Sequence, residues 1–202
     1  MKKKTNAHDL LYGIHSVAAA ITAGRRDIFC VYVADAQKNK ERQQQIITLA
    51  RQSEVPVEIA SEADMTSMTG TEAHQGIAAR TGPYPFFSLE KILASSSKQN
   101  QPPSLLIIDG VTDTHNLGAL VRTAICAGLT GIVIPKNNAA SPTPVASKIS
   151  AGALEFARIA RETNIARTVD FLKENGVWIA GLASDTKQSI YETDLSGAIA
   201  LV

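Results

Sequence analysis

The chain is short of several things that would narrow its function at once. It has two cysteines, Cys30 and Cys126, each inside an apolar stretch. That excludes a disulfide framework and predicts buried, reduced thiols. The four histidines, His8, His15, His74 and His115, are scattered and no cysteine pair accompanies them, so no metal site is expected. No apolar run approaches the ~20 residues a membrane helix needs. Lys2, Lys3 and Lys4 open the chain as a signal peptide would, but polar TNAHD follows where an apolar core belongs. These absences predict a soluble cytoplasmic protein with no membrane partner.

Charge of one sign is scarce too. The net charge is +1, so no overall basic field advertises a polyanion. The distribution is uneven: residues 1–51 hold 9 Lys and Arg against 4 Asp and Glu, and residues 52–202 hold 11 against 15. A basic first quarter on a mildly acidic body suits electrostatic capture of a polyanion, and suits an ordinary solvated surface equally.

What is present is a core. Hydrophobic residues make up 45% of the chain, enough to pack a large interior. Residues 1–9 read as a basic tail. IHSVAAAITAG (14–24) reads as a helix closed by Gly24 and IFCVYVA (28–34) as a buried strand. A helix over 40–54 and a strand over 55–60 follow. Ser61 and Asp64 then form a capping pair for a short helix reaching Met68, before the strand GIAAR (76–80). Residues 10–80 therefore form a small α/β domain. Residues 81–103, with TGPYPFFS, one short helix Leu89–Ala94 and the polar, Pro-rich SSSKQNQPPS, read as a linker.

Residues 104–202 repeat the alternation more strongly. SLLIID (104–109) has the continuous apolar character of a central parallel strand. Leu117, Leu120, Val121, Ala124 and Ile125 then recur at helical spacing, with Gly128 as terminator and GIVIP (131–135) as the next strand. Residues 145–155 carry a short helix, and a strand over 156–160, a helix over 164–176 and a strand over 177–182 follow. A last strand, AIALV, is expected to run through Val202. Trp178 alternates with apolar residues and reads as core. The fold class is α/β, with two domains: a small N-terminal α/β domain and a C-terminal parallel-sheet α/β domain.

The loop after the first of these parallel strands carries the candidate chemistry. Ligands of parallel sheets bind beyond the carboxyl ends of the strands. Asn116 sits where a helix cap belongs, and Arg122 can lean back from the second turn toward the same loop. The helix start adds its unpaired amides, and Gly118 and Ala119 keep the first turn small. Together these suit an anion. The residues alone serve equally well as a plain cap and a solvated arginine. No G-x-G-x-x-G or G-x-x-x-x-G-K-[ST] run points to a nucleotide instead.

DGVTDTHNLGALVRTAICAG (109–128) resembles the first motif of the SpoU/TrmH family of RNA ribose 2′-O-methyltransferases, within the wider SPOUT superfamily. YGIHSVAAAI (12–21), HQGIAAR (74–80) and SAGALE (150–155) fall in the family's order, most like the members that act on guanosine in 23S ribosomal RNA. The resemblance implies that residues 10–80 are a ribosomal-protein-like substrate-binding domain. It implies S-adenosyl-L-methionine as cofactor, ribosomal RNA as partner and a homodimer.

It also implies catalytic roles for Asn116 and Arg122 and a cofactor-bordering role for Gly181, Leu182 and Ala183, with most of the cofactor site falling beyond Val202. Arg25, Arg26, His15, His74 and Ser150 are the expected RNA contacts, and His115 is a candidate base. Family members continue past a strand like AIALV (198–202) into cofactor and trefoil-knot motifs that this chain lacks. The expectation is therefore a truncated methyltransferase domain with the knot region missing. A non-catalytic RNA-binding α/β protein is the alternative.

Overall fold

The computed structural model describes residues 8–35, 40–98, 101–186 and 188–202. They pack as two compact units, each discontinuous in sequence. One holds the described residues among 1–85, 114–122 and 141–156, and the other those among 86–113, 123–140 and 157–202.

The first unit is built on four strands: β1 (Asp9–Tyr12), β2 (Ile28–Ala34), β3 (Val57–Ala60) and β4 (Ile77–Thr81), in the order β1-β4-β2-β3. β4 runs antiparallel to both β1 and β2, and β2 pairs parallel with β3. Strand alternation divides its side chains. Leu11, Val31, Val33, Ile77 and Ala79 form one buried cluster with Val17 and Ile21 of α1 (Ile14–Ala23) and Ile46 and Ala50 of α2 (Lys40–Gln52). On the other face Ala34 and Ala78 meet Met65 of α3 (Glu62–Thr69). α1 ends on a left-handed Gly24, and Ser61 Oγ accepts from the Asp64 amide, as the sequence predicts.

The expected basic tail is shorter than residues 1–9: Asp9 already belongs to β1, pairing with Thr81, and residues 1–7 lie outside the described residues. β1 escapes sequence reading because it spans only four residues, DLLY, and draws its hydrogen bonds from β4 across the chain.

The second unit is a five-stranded, all-parallel sheet in the order β7-β6-β5-β9-β8. Its strands are β5 (Ser104–Ile107), β6 (Gly131–Pro135), β7 (Ile159–Glu162), β8 (Trp178–Ala180) and β9 (Ile199–Leu201). Leu105, Ile107, Val133, Ala160 and Ala200 pack with α4 (Leu89–Lys98) and α8 (Ile165–Glu174). Such a sheet is buried on both faces, which explains the continuous apolar runs. α4 extends four residues beyond the expected Ala94, into the polar serine run. There Ser95 Oγ donates to the Ile92 carbonyl and Ser96 is buried. Phe87 also bridges to Ala160, so this stretch packs as structure within the second unit.

Four expectations need correction. Trp178 is 78% exposed, while its neighbour Val177 is 2% exposed. β8 lies at the sheet edge, with β9 as its strand partner, and the register gives Val177 the inward position. Cys126 is exposed, unlike Cys30. It lies five residues past the buried Val121, about 140° round the helix and off the apolar stripe. Residues 145–155, expected to carry a short helix, hold two: α6 (Pro144–Ile149) and α7 (Ala153–Phe156). The last strand stops at Leu201, one residue short of the expected Val202. Pairing with β5 has ended by then, at Leu106 opposite Leu201. Val202 keeps only bonds toward the β8 side: its amide donates to the Ala180 carbonyl at 3.0 Å and its carbonyl accepts from the Leu182 amide at 2.9 Å.

Candidate active site

β5 ends at Ile107, and residues 108–113 form the loop leading into α5 (Thr114–Cys126). The helix begins three residues earlier than the sequence suggests, at Thr114 and not Leu117. Asn116 is therefore not the cap but a first-turn residue. Leu117, Val121 and Ala124 are buried, and His115, Asn116, Ala119, Leu120 and Arg122 are exposed.

At 3.6 residues per turn, Asn116 and Arg122 lie about 120° apart on this outer surface. Ala119 stands three residues from each, so a single methyl group floors the gap between an amide and a guanidinium. Asn116 is engaged in an interaction of its own. The Arg122 side chain makes no hydrogen bond or ion pair among the described residues. An arginine so placed, next to a small residue and an amide, is equipped to receive a phosphate or a developing alkoxide.

Gly118 does not serve to admit a ligand. A Cβ there would lie 2.9 Å from the Ile149 side chain and 3.0 Å from the Ala146 carbonyl. Its bare backbone lets α6 press against the first turn of α5. α6 in turn leads into a turn at Ala151 and Gly152, both with positive φ. A Cβ on Gly152 would stand 2.6 Å from the His15 carbonyl and from Ala19 of α1. The NLGALVR and SAGALE runs are thus two sides of one close-packed assembly within the first unit.

The expected RNA contacts separate into two groups. Arg26 is enclosed: its Nη1 donates to Asp9 Oδ2 at 2.8 Å, its Nη2 to Glu155 Oε1 at 3.2 Å, and its Nε lies 2.8 Å from Glu155 Oε2. Ser147 Oγ donates to the same Glu155 at 2.8 Å. Burial pushes the Glu155 carboxyl above the usual glutamate range, with Arg26 opposing the shift. Tyr84 packs under the guanidinium, and burial pushes its hydroxyl up to about 12. Arg26 is therefore buried and paired within the fold, with no exposed guanidinium.

His74 is buried as well. The Gly76 amide donates to its Nδ1 at 3.0 Å, so the neutral ring carries its proton on Nε2, 3.2 Å from Thr66 Oγ1. Ser150 is buried and its hydroxyl accepts from the Leu154 amide, opening α7. All three are architectural. His15 is exposed, and Arg25 is half-buried, donating to the Glu155 carbonyl at 3.0 Å. None of the sequence signals anticipates Lys148, whose Nζ donates to Gln75 Oε1 at 2.6 Å, or the Glu155 pairing with Arg26.

In the second unit, Gly181, Leu182 and Ala183 follow β8 and line a cavity of about 290 Å³ with Thr186, Ile190, Thr193, Leu195 and Leu201. Val202 contributes from the backbone, since its carbonyl holds the Leu182 amide and so fixes where the 181–183 turn leaves the sheet. The volume lies at the lower edge of the range for small-ligand pockets, roughly 300–1,000 Å³. Four aliphatic walls and two threonine hydroxyls suit an adenine ring and a ribose. The residues fit the nucleoside part of S-adenosylmethionine. Among the described residues there is no cluster of metal-binding side chains, and no helix is long and apolar enough to cross a membrane.

Comparison with known proteins agrees with this arrangement. Residues 10–87 match the family described as RNA 2′-O ribose methyltransferase substrate binding, and residues 103–202 match the SpoU rRNA methylase family. The chain is 34% identical over 195 residues to a 23S rRNA (guanosine-2′-O-)-methyltransferase of Pseudomonas putida, covering 95% of this chain and 77% of that protein. It is 36% identical over 192 residues to the protein of the same name from Coxiella burnetii, covering 95% and 76%.

Among solved structures, an rRNA methyltransferase from Sinorhizobium meliloti superposes with a TM-score of 0.74 at 19% identity, over 100% of this chain and 73% of the other. The AdoMet-bound SpoU methyltransferase AviRb from Streptomyces viridochromogenes gives 0.73 at 15% identity, over 96% and 70%. These two show the shared fold. Identity above 30% along almost the whole chain, with both halves matched in order, establishes that the chain belongs to the SpoU family of RNA 2′-O-ribose methyltransferases.

Proposed function

We propose that the chain moves a methyl group from S-adenosylmethionine to a ribose 2′-hydroxyl of ribosomal RNA. The observation that carries this reading is the outer surface of α5. There the Arg122 side chain, with no hydrogen bond or ion pair among the described residues, flanks Ala119 opposite Asn116. The bound cofactor supplies an electrophilic methyl carbon on a sulfonium. Gly181, Leu182 and Ala183 would border its nucleoside. A guanidinium serves as a fixed cation, so Arg122 is assigned an electrostatic role and not that of a base. It holds the phosphate next to the target ribose and stabilises the oxygen as negative charge develops. Asn116 orients that sugar. His115 lies seven residues before Arg122, on the same side of the helix, where RNA would pass.

Residues 10–80 serve in this reading as the substrate-holding domain and 104–202 as the transfer domain, in a cytoplasmic homodimer; light scattering of the purified protein checks the dimer. The decisive experiment is methyl incorporation into unmodified ribosomal RNA by Arg122→Ala. The expected loss is 10²–10³-fold in kcat with an unchanged circular dichroism spectrum. Activity above a tenth of wild type, less than about 1.4 kcal/mol of transition-state stabilisation, overturns the assignment.

A further inference from the structure

The four-stranded sheet carries a feature that methyl transfer does not use. Plain alternation along β2 would send Phe29 to the side of Val31 and Val33, inside the cluster with α1 and α2. The register prevents this. Ile28 opposes Thr81 and Cys30 opposes Arg80, so Phe29 is an inserted residue. A bulge of this kind re-aims a side chain and bends its strand. Ile28 takes the inward place, packed against that cluster, and Phe29 emerges 38% exposed on the other face.

Its surroundings there are specific. The Arg80 guanidinium lies 6.0 Å from the centre of the Phe29 ring, and His8 meets the ring edge-on at 4.9 Å and 74°. Both partners are exposed. Tyr32, half-buried, continues the same face with Glu58 opposite it. α3 covers the far end of this face, near Ala34 and Ala78.

We infer that Phe29, Arg80 and His8 form a stacking platform for an unpaired base of the substrate RNA. This rests on the reading of the chain as an RNA methyltransferase. The chemistry favours nucleic acid over an apolar peptide. A peptide would desolvate the Arg80 charge, whereas a nucleotide offers a flat ring to Phe29 and a phosphate to the guanidinium. Local charge agrees: residues 1–51 carry a surplus of positive charge, and Lys2, Lys3 and Lys4 precede His8 in sequence. Stacking on Phe29 needs no base identity, so the platform sets where single-stranded RNA lies and not which nucleotide is modified.

Fluorescence anisotropy with labelled oligoadenylate, and with its duplex to oligouridylate, tests the inference on the intact protein. Phe29→Ala is expected to weaken oligoadenylate binding about tenfold, to leave the duplex unaffected, and to keep the salt dependence. Phe29→Tyr should restore binding. Arg80→Ala should lower the slope of log K against log salt by about 1. Wild-type affinity in Phe29→Ala, equal losses on single strand and duplex, or no oligoadenylate binding by the wild type overturns it. The measurement needs no methyl donor, so it stands apart from the Arg122→Ala assay.

Discussion

Arg26 and Arg122 invite comparison. Arg26 has none of its side chain exposed and sits between Asp9, Glu155 and the Tyr84 ring. The Arg122 side chain stands on the outer side of α5 with no hydrogen bond or ion pair among the described residues. In sequence both look like phosphate-binding arginines next to a helix. The difference is made by residues far away in the chain: Glu155 reaches Arg26 across more than half the sequence, and no carboxylate among the described residues reaches Arg122. A guanidinium already matched to two carboxylates organises the fold, and one left unmatched is available to a substrate.

Substitution can separate the two roles. The largest expected effect is on stability, at Arg26. Arg26→Met leaves Glu155 buried without its cation, at a cost of about 3–5 kcal/mol in chemical denaturation. The deficit should shrink toward acidic pH. Burial already holds the Glu155 carboxyl above its ordinary range, and removing Arg26 raises it further. An acid with a raised folded-state pKa keeps its stability below the unfolded-state value and loses it as pH rises. A deficit constant from about pH 4 to 8 would remove Glu155 from the account.

Arg122→Ala belongs at the other pole, with its loss confined to methyl transfer and its unfolding midpoint unmoved. A midpoint shift as large as that of Arg26→Met would erase the contrast. Between them lies Gly118→Val, which drives a side chain into Ile149 and the Ala146 carbonyl. Overpacking of this kind costs about 1–3 kcal/mol, and displacement of α5 should lower activity in parallel. Unchanged stability would show that α6 yields freely. The smallest effect is expected at Trp178→Thr, within about 0.5 kcal/mol, because the indole is mostly in solvent. A loss above about 2 kcal/mol would return Trp178 to the core.

The periodic elements were the legible part of this protein. β2 and β6 coincide residue for residue with their apolar runs, and α8 falls within the helix expected over 164–176. These depend on local pattern, and local pattern is what a sequence displays. Trp178 was misread because alternation fixes which residues share a face but not which face is covered, and edge position decided that. Val202 was counted in β9 because it is apolar like its neighbours, whereas a strand lasts only as long as its ladders do. Asn116 was misplaced because α5 starts ahead of its apolar stripe. The exposed place of Arg122 on α5 was readable from its helical spacing. The burial of Arg26 was not, because its partner Glu155 becomes a neighbour only in the folded chain. That of His74 and Ser150 was not either: their partners Thr66 and Leu154 are close in sequence, but an apolar pattern does not display polar side chains turned inward.

The order of the parallel sheet bears on how the protein is made. β9 is inserted between β5 and β8, pairing Ser104 with Ile199 and Trp178 with the same residue. β8 emerges from the ribosome before β9, its partner, exists, and β5 waits with one edge open until residue 199 has been made. Distant pairings of this kind close slowly, and open strand edges attract other chains. The exposed Trp178 travels on that waiting strand. Nascent chains should therefore be most vulnerable to association in the interval between β8 and β9, and a chaperone with a taste for aromatic β-segments would find its target there.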